Sequence, residues 1–451
     1  MEGLSIRLKS ITIRDFKNIK DSTIEFENND LNCVTGIYGP NGSGKTAVID
    51  IIYLFKCLAS QKEVHFPYYY VRKGSNTSIL KFDFNYRGYK LKYEASFSIN
   101  TNTIEKYAEF HKERFQVYEA DKLKYSFRID RSKESVKDSI ALSINGKDNG
   151  LKAFEFEKLV AAYSICKNDS KSFVFTGLVD SIKDQDLYKD IYQIMYDFNF
   201  YATVKMTVIS IKESYGIAVR DEIPLHLDYI KPHRDGILHT NGIIRINLLG
   251  ENLIPLDYVE RLKLTINQCN EILVCLLNNM HISMNIDDMI VNDNNGVQCK
   301  RVSFNSSRND LEIPLIYESE GIKKLISMAT AFIAVFNNAN ALVAIDELDA
   351  GIFEILLGEI VKVLSERGKG QFIFTSHNLR VLEVVDPKAI TIARMTDTNK
   401  FVKFPYVRPS NNFRNLYLRA LVLEADKNYY SGIDDMKIAL ALRSAYDEDN
   451  G

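Results

Sequence analysis

The sequence predicts an α/β protein built around a phosphate-binding loop, and three observations carry that prediction. Gly39-Pro40-Asn41-Gly42-Ser43-Gly44-Lys45-Thr46 fits the pattern G-x-x-x-x-G-K-[ST]. Its flanks fit too: residues 31–38 read as a buried strand, and the apolar run 47–55 opens a helix. Much further along, Ala341-Leu342-Val343-Ala344-Ile345-Asp346-Glu347 is an apolar run ending in two carboxylates. A buried parallel strand delivers such residues to the carboxyl edge of a sheet, where nucleotides bind. Glycines let the loop backbone wrap a phosphate with its N–H groups, and the helix N-terminus adds partial positive charge. Lys45 can then reach the β- and γ-phosphates, and Thr46 can offer its hydroxyl to Mg²⁺. Asp346 would join that Mg²⁺ shell, and Glu347 could polarise an attacking water.

The remaining elements follow in order. Residues 4–27 alternate apolar and polar, as two strands meeting at a turn around Asp15-Phe16-Lys17-Asn18. Residues 77–100 alternate again around Arg87-Gly88, an antiparallel hairpin rich in Tyr and Phe. The pattern then predicts a mainly helical stretch from about 150 to 215, with loops and short strands over 216–250. Helical spacing returns at 255–280, and 311–405 reads strand, helix, strand, helix, strand. The implied organisation is an N-terminal half of the nucleotide lobe (1–100), an inserted, mainly helical partner lobe (101–255), a C-terminal half (256–425) and a terminal helix and tail (426–451). The alternation of Tyr107, Phe110, Phe115, Tyr118, Tyr125 and Phe127 with Lys and Arg suits either a core or an interface.

Composition bounds the class. A chain of 451 residues exceeds one ordinary core, so two or three lobes are expected. It is 46% hydrophobic and 26% charged with net charge −2, normal for a soluble globular protein and without a global basic bias. The six cysteines form no C-x-x-C pair, and reduced thiols in a cytosol are the expectation. No stretch approaches the length of a membrane span, and residues 1–7 lack a signal-peptide core, so a cytoplasmic location is expected.

Lys45 and Asp346 stand 301 residues apart (346 − 45), too far for a compact P-loop enzyme. That gap resembles the SMC/RecF/OLD-type ABC ATPases, and three further stretches support the resemblance. Ile11-Thr12-Ile13-Arg14-Asp15-Phe16-Lys17-Asn18 is similar to their first-strand opening, and Ser319-Glu320-Gly321 to their signature motif in its S-x-G form. Phe374-Thr375-Ser376-His377-Asn378 is similar to their strand ending in a switch histidine. The nearest resemblance is to OLD-like "AAA family" ATPases of bacterial anti-phage systems such as PARIS, Septu and abortive-infection loci. It covers roughly residues 1–100 and 255–425.

The resemblance implies an ABC-type ATPase head with an antiparallel β-subdomain. It implies ATP and Mg²⁺ as ligands, with ATP held between two copies in a homodimer or higher even-numbered oligomer. Glu347 and His377 would be catalytic, and Ser319, Glu320 and Gly321 would contact the ATP held by the other copy. Asp349 matches the segment that crosses the interface. Ser319 serves equally as a plain helix cap, and Lys17 and Arg14 suit a phosphate or DNA contact as well as a plain surface charge.

The sequence departs from the family where Glu318 replaces the usual leucine, and where Gln116, Gln185 and Gln193 compete for the Mg²⁺-sensing role. It lacks a long heptad tract, and after His377 the acidic run from Asp447 belongs to the terminal tail. A separate effector, nuclease or toxin, is the expected partner. DNA is an alternative partner, as for a RecF-like repair ATPase, and a nucleotide-gated, non-catalytic scaffold is a third reading.

Overall fold

Strand β3 (Cys33–Tyr38) runs through a six-stranded sheet that carries the site. The computed structural model describes residues 6–26, 33–64, 66–99, 107–148, 156–182, 189–210, 221–233, 236–309, 311–403, 413–423 and 435–447. The sheet order is β11 (Met206–Ile209), β18 (Leu342–Ile345), β19 (Gln371–Thr375), β3, β20 (Ile390–Ala393) and β21 (Phe401–Lys403). All neighbours are parallel except β20–β21. β11, β18, β19 and β20 are buried at every position, the burial expected of a parallel sheet covered on both faces.

Alternate side chains feed two cores. Leu342, Ala344 and Ile373 join helix α1 (Lys45–Ala59) on one face. Val343, Ile345, Phe372 and Phe374 pack on the other, against α5 (Glu320–Asn337), α6 (Glu354–Arg367) and α7 (Phe413–Leu423).

Beyond α1 lies a nine-stranded antiparallel sheet. It comprises β1 (Ile6–Phe16), β2 (Ile19–Glu25), β4 (Phe66–Pro67), β5 (Thr77–Tyr86), β6 (Tyr89–Ile99), β7 (Tyr107–Glu119), β8 (Lys122–Asp130), β9 (Ile140–Ile144) and β10 (Lys147–Asp148). Phe55 of α1 joins the two layers, with ring centroids 4.9 Å from both Phe82 and Phe84. A third layer packs β12 (Glu222–His233), β13 (Gly236–Asn247), α4 (Leu256–Leu276) and the small sheet β14 (Asn252–Pro255), β15 (His281–Asn292), β16 (Gln298–Arg308) and β17 (Leu311–Pro314) against Ile326 and Ala329 of α5.

The middle segment differs from the expected helical lobe. Within 101–255 the described helices centre on α2 (Phe156–Asn168) and α3 (Lys189–Phe200). Before them, β7 to β10 extend the N-terminal antiparallel sheet, and after them β11 becomes the edge strand beside β18. The aromatic–basic alternation is the cause: with period two, Phe110, Phe115, Tyr125 and Phe127 turn inward while Lys112, Arg114 and Arg128 stay exposed. The short strands expected over 216–250 are instead the paired twelve-residue strands β12 and β13. Of the tail, helix α8 (Asp435–Asp447) is described; residues 424–434 and 448–451 lie outside the described residues, as does Gln185.

Candidate nucleotide site

The loop 39–44 leaves β3 and enters α1 through three glycines with positive φ, 154° at Gly39, 78° at Gly42 and 100° at Gly44. Gly39 is required by crowding as well, since a Cβ there would lie 2.2 Å from the Ala393 carbonyl oxygen. Lys45 folds under the loop, its Nζ donating to Gly39 O at 2.9 Å and Pro40 O at 3.0 Å. Burial lowers its pKa, opposed by the negative field of Asp346, Glu347 and Asp349. The Ser43 hydroxyl is buried without a partner, Asn41 and Gly42 are exposed, and Asn18 donates its amide to Gly42 O. Lys17 bonds Asp50 of α1, which ties the β1–β2 turn to that helix.

The carboxylates arrive from the next strand but one. Asp346 is 1% exposed. Its Oδ1 accepts from Thr375 Oγ1 at 2.5 Å and from Thr46 Oγ1 at 3.4 Å, and its Oδ2 has no partner. Two hard oxygens at the foot of a phosphate loop, one of them unsatisfied, fit Mg²⁺. No group of three or more His, Cys, Asp or Glu among the described residues could hold a metal alone. Such a cation would therefore take its other ligands from phosphate and water.

Glu347 adopts φ 47°, uncommon for a side-chain-bearing residue. Three bonds hold that backbone. The Glu347 N–H donates to Thr375 Oγ1 at 2.8 Å, Leu348 N–H donates to Thr375 O at 2.9 Å, and Lys324 Nζ donates to Glu347 O at 2.5 Å. The His377 N–H bridges both Asp349 oxygens at 3.1 Å. Burial, then Lys45, lower the pKa of its ring, which favours neutral imidazole.

Several of these residues share one cavity of about 310 Å³. Lys17, Asn41, Gly44, Lys45, Thr46, Glu347, Thr375 and His377 are among its walls. Ser319, Glu320 and Gly321 are not. Ser319 caps α5 by accepting from Ile322 N–H, and Glu320 pairs with Lys323 at 2.9 Å. Gly321 lies against the 349–351 turn so tightly that a Cβ would meet Gly351 O at 2.0 Å.

Three contributors carry no distinctive sequence signal. Thr375 lies inside the histidine phrase without a pattern of its own. Lys324 resembles any helix lysine, although its Nζ also bonds Ala350 O at 3.1 Å. Glu318, the departure from leucine, is an anchor: it accepts from Arg308 at 2.7 Å and Ser306 at 2.6 Å, fixing the start of α5 to β16.

An SMC head bound to the C-terminal winged-helix domain of ScpA superposes with TM-score 0.43 at 13% identity, covering 88% of this chain and 98% of that one. The SMC head domain from Thermotoga maritima gives 0.36 at 15% identity, covering 89% and 100%. The recombination mediator RecF gives 0.34 at 12% identity, covering 89% and 99%. No curated protein matches the chain. The family profile described as AAA ATPase domain matches residues 7–382, most of the chain. With its phosphate loop, its carboxylate strand and a separating strand in one parallel sheet, the chain belongs to the AAA ATPase domain family.

Proposed function

We propose that the chain binds and hydrolyses ATP with Mg²⁺, closes on ATP as a homodimer or higher even-numbered homo-oligomer, and through that closure controls a separate effector protein in anti-phage defence. One observation carries the reading: Lys45, Thr46, Glu347 and His377 line a single cavity, while Ser319 and Gly321 do not. A signature that does not line its own chain's cavity suits a site completed by a second copy. The loop amides and Lys45 would hold the β- and γ-phosphates. Thr46 and Asp346 would hold Mg²⁺, which when bound neutralises charge developing on the phosphates. Glu347 would take a proton from the attacking water, with neutral His377 orienting it against the γ-phosphate. Closure is then a population shift driven by tighter ATP binding in the closed state.

Glu347→Gln tests this. It should keep ATP affinity, slow turnover by on the order of 10²–10⁴, and accumulate the closed dimer in sedimentation. Unchanged turnover removes Glu347 from the chemistry, and monomeric, ATP-saturated Glu347→Gln removes the composite site. The defence setting and the effector rest on the family resemblance, and a nuclease or toxin gene beside this one is the observation that tests them. DNA-stimulated turnover would favour the RecF-like reading instead.

A further inference from the structure

Behind the β11 edge of the central sheet lies a second cavity, of about 210 Å³, which shares no wall residue with the nucleotide cavity. Its walls come from four elements. Thr207 is on β11, His226 on β12, Arg261, Thr265 and Gln268 on α4, and Thr330 on α5. The volume is far above the roughly 30 Å³ share of one water. The lining contains no carboxylate and one cation, Arg261. Arg261 is half-buried, and its guanidinium takes part in no ion pair among the described residues.

Two of the residues that line this space carry a buried polar atom without a hydrogen-bond partner. His226 is 6% exposed and its Nε2 has no hydrogen-bond partner. The Thr330 hydroxyl is likewise buried and unpartnered. Buried polar atoms left unmatched cost stability, and most folds avoid them. Burial, aided by Lys56, pushes the His226 imidazole down to about 3, so it is neutral at working pH and keeps one N–H to donate. A guanidinium, a carboxamide, the hydroxyls of Thr207 and Thr330 and an imidazole, with no acid among them, form a donor-rich wall.

We propose that this cavity is a second ligand site, for a small oxyanion of the phosphate class. Arg261 supplies the charge, while Thr207, Thr330, Gln268 and His226 supply neutral donors, an arrangement that matches the several acceptor oxygens of such an anion; the Thr265 hydroxyl donates instead to Arg261 O at 3.0 Å. Its position gives binding a consequence. β11 is the parallel neighbour of β18, and the Asp346 N–H donates to Ile209 O at 2.9 Å. α5, which carries Thr330, begins at Ser319. An anion bridging β11 and α5 therefore touches the elements that hold the carboxylate pair and the signature, and any coupling to the nucleotide site is reciprocal.

The test is isothermal titration with inorganic phosphate, using the full chain and two variants. Wild type should show two classes of site. Lys45→Ala should lose the one at the phosphate loop and keep the other. Arg261→Gln, a change at a half-buried position without an ion pair, should weaken the other at least tenfold and leave ATP affinity unchanged, and Arg261→Lys should restore part of the loss. Phosphate binding to Lys45→Ala that Arg261→Gln does not alter overturns the proposal, as does the absence of any phosphate binding to Lys45→Ala. If instead Lys45→Ala keeps both classes and Arg261→Gln removes one, the second site stands and the phosphate-loop assignment fails.

Discussion

At the scale of residues, the site is held by groups that do no chemistry. Lys324 is 5% exposed, and its ammonium bonds the carbonyls of Glu347 and Ala350 on either side of Asp349. It fastens the start of α5 to the turn that bears the carboxylates. Burial pushes its pKa down from 10.5 to about 8, against the pull of Asp349, Glu347 and Asp346. The sign follows from linkage. Between pH 8 and 10.5 the unfolded chain binds a proton at this lysine that the folded chain does not, so this group's contribution to stability rises with pH across that window. Below pH 8 both states are protonated and the full cost of burying the charge is present. Lys324→Met lacks this term. The melting temperature of wild type relative to Lys324→Met should therefore climb from pH 8 towards 10.5, and a difference independent of pH would show that Lys324 is charged and well solvated. The motif residues were legible because their spacing follows from the geometry of phosphate binding. Lys324, Thr375 and Glu318 were not, because any of many polar residues can make a backbone bond or an ion pair, and only the fold decides which one stands there.

At the scale of elements, the strand–loop–helix unit, the two carboxyl-edge strands and the β5–β6 hairpin were legible because each keeps one period over its full length. The helical reading of the middle segment fails because its period-two run, which suits a core or an interface, forms strands β7 and β8, and nothing local reveals that four-residue β11 belongs to a sheet formed by distant residues. In the proposed composite site the elements separate the two halves: the phosphate loop opens α1, and the proposed signature Ser319-Glu320-Gly321 opens α5. A complementation experiment exploits that separation. Lys45→Ala removes the main positive charge from the phosphate position and should abolish ATP binding. Ser319→Arg places a bulky cation at the α5 N-terminus and should block closure while leaving ATP binding to the single copy intact. A mixed dimer contains one site with native Lys45 from one copy facing native Ser319 from the other. Mixing the two inactive variants should restore part of the turnover. Two inactive variants that stay inactive when mixed, despite hetero-association in sedimentation, would rule out a site shared between copies.

At the scale of the whole molecule, the question is where an effector would dock. The inward aromatics of the antiparallel sheet are core, which leaves its outer face. There Arg114 stands directly across from Arg128 on β8 and from Glu94 on β6, with exposed Lys92 nearby and Lys112 paired with Asp130 at 2.9 Å. Like charges opposed on adjacent strands destabilise a sheet, typically by a few tenths of a kcal/mol or more. A partner with an acidic surface would relieve that repulsion and gain from it in association rate. Neither arginine lines the nucleotide cavity. Arg114→Glu combined with Arg128→Glu should therefore leave ATP turnover and the melting temperature near wild type, while abolishing co-purification with the product of a neighbouring effector gene. The purified chain alone, given ATP and Mg²⁺, should hydrolyse ATP slowly and leave DNA and RNA intact. Loss of DNA binding in the double variant, without loss of a protein partner, would move the reading to a RecF-like ATPase, and robust nuclease activity from the isolated chain would overturn effector control altogether.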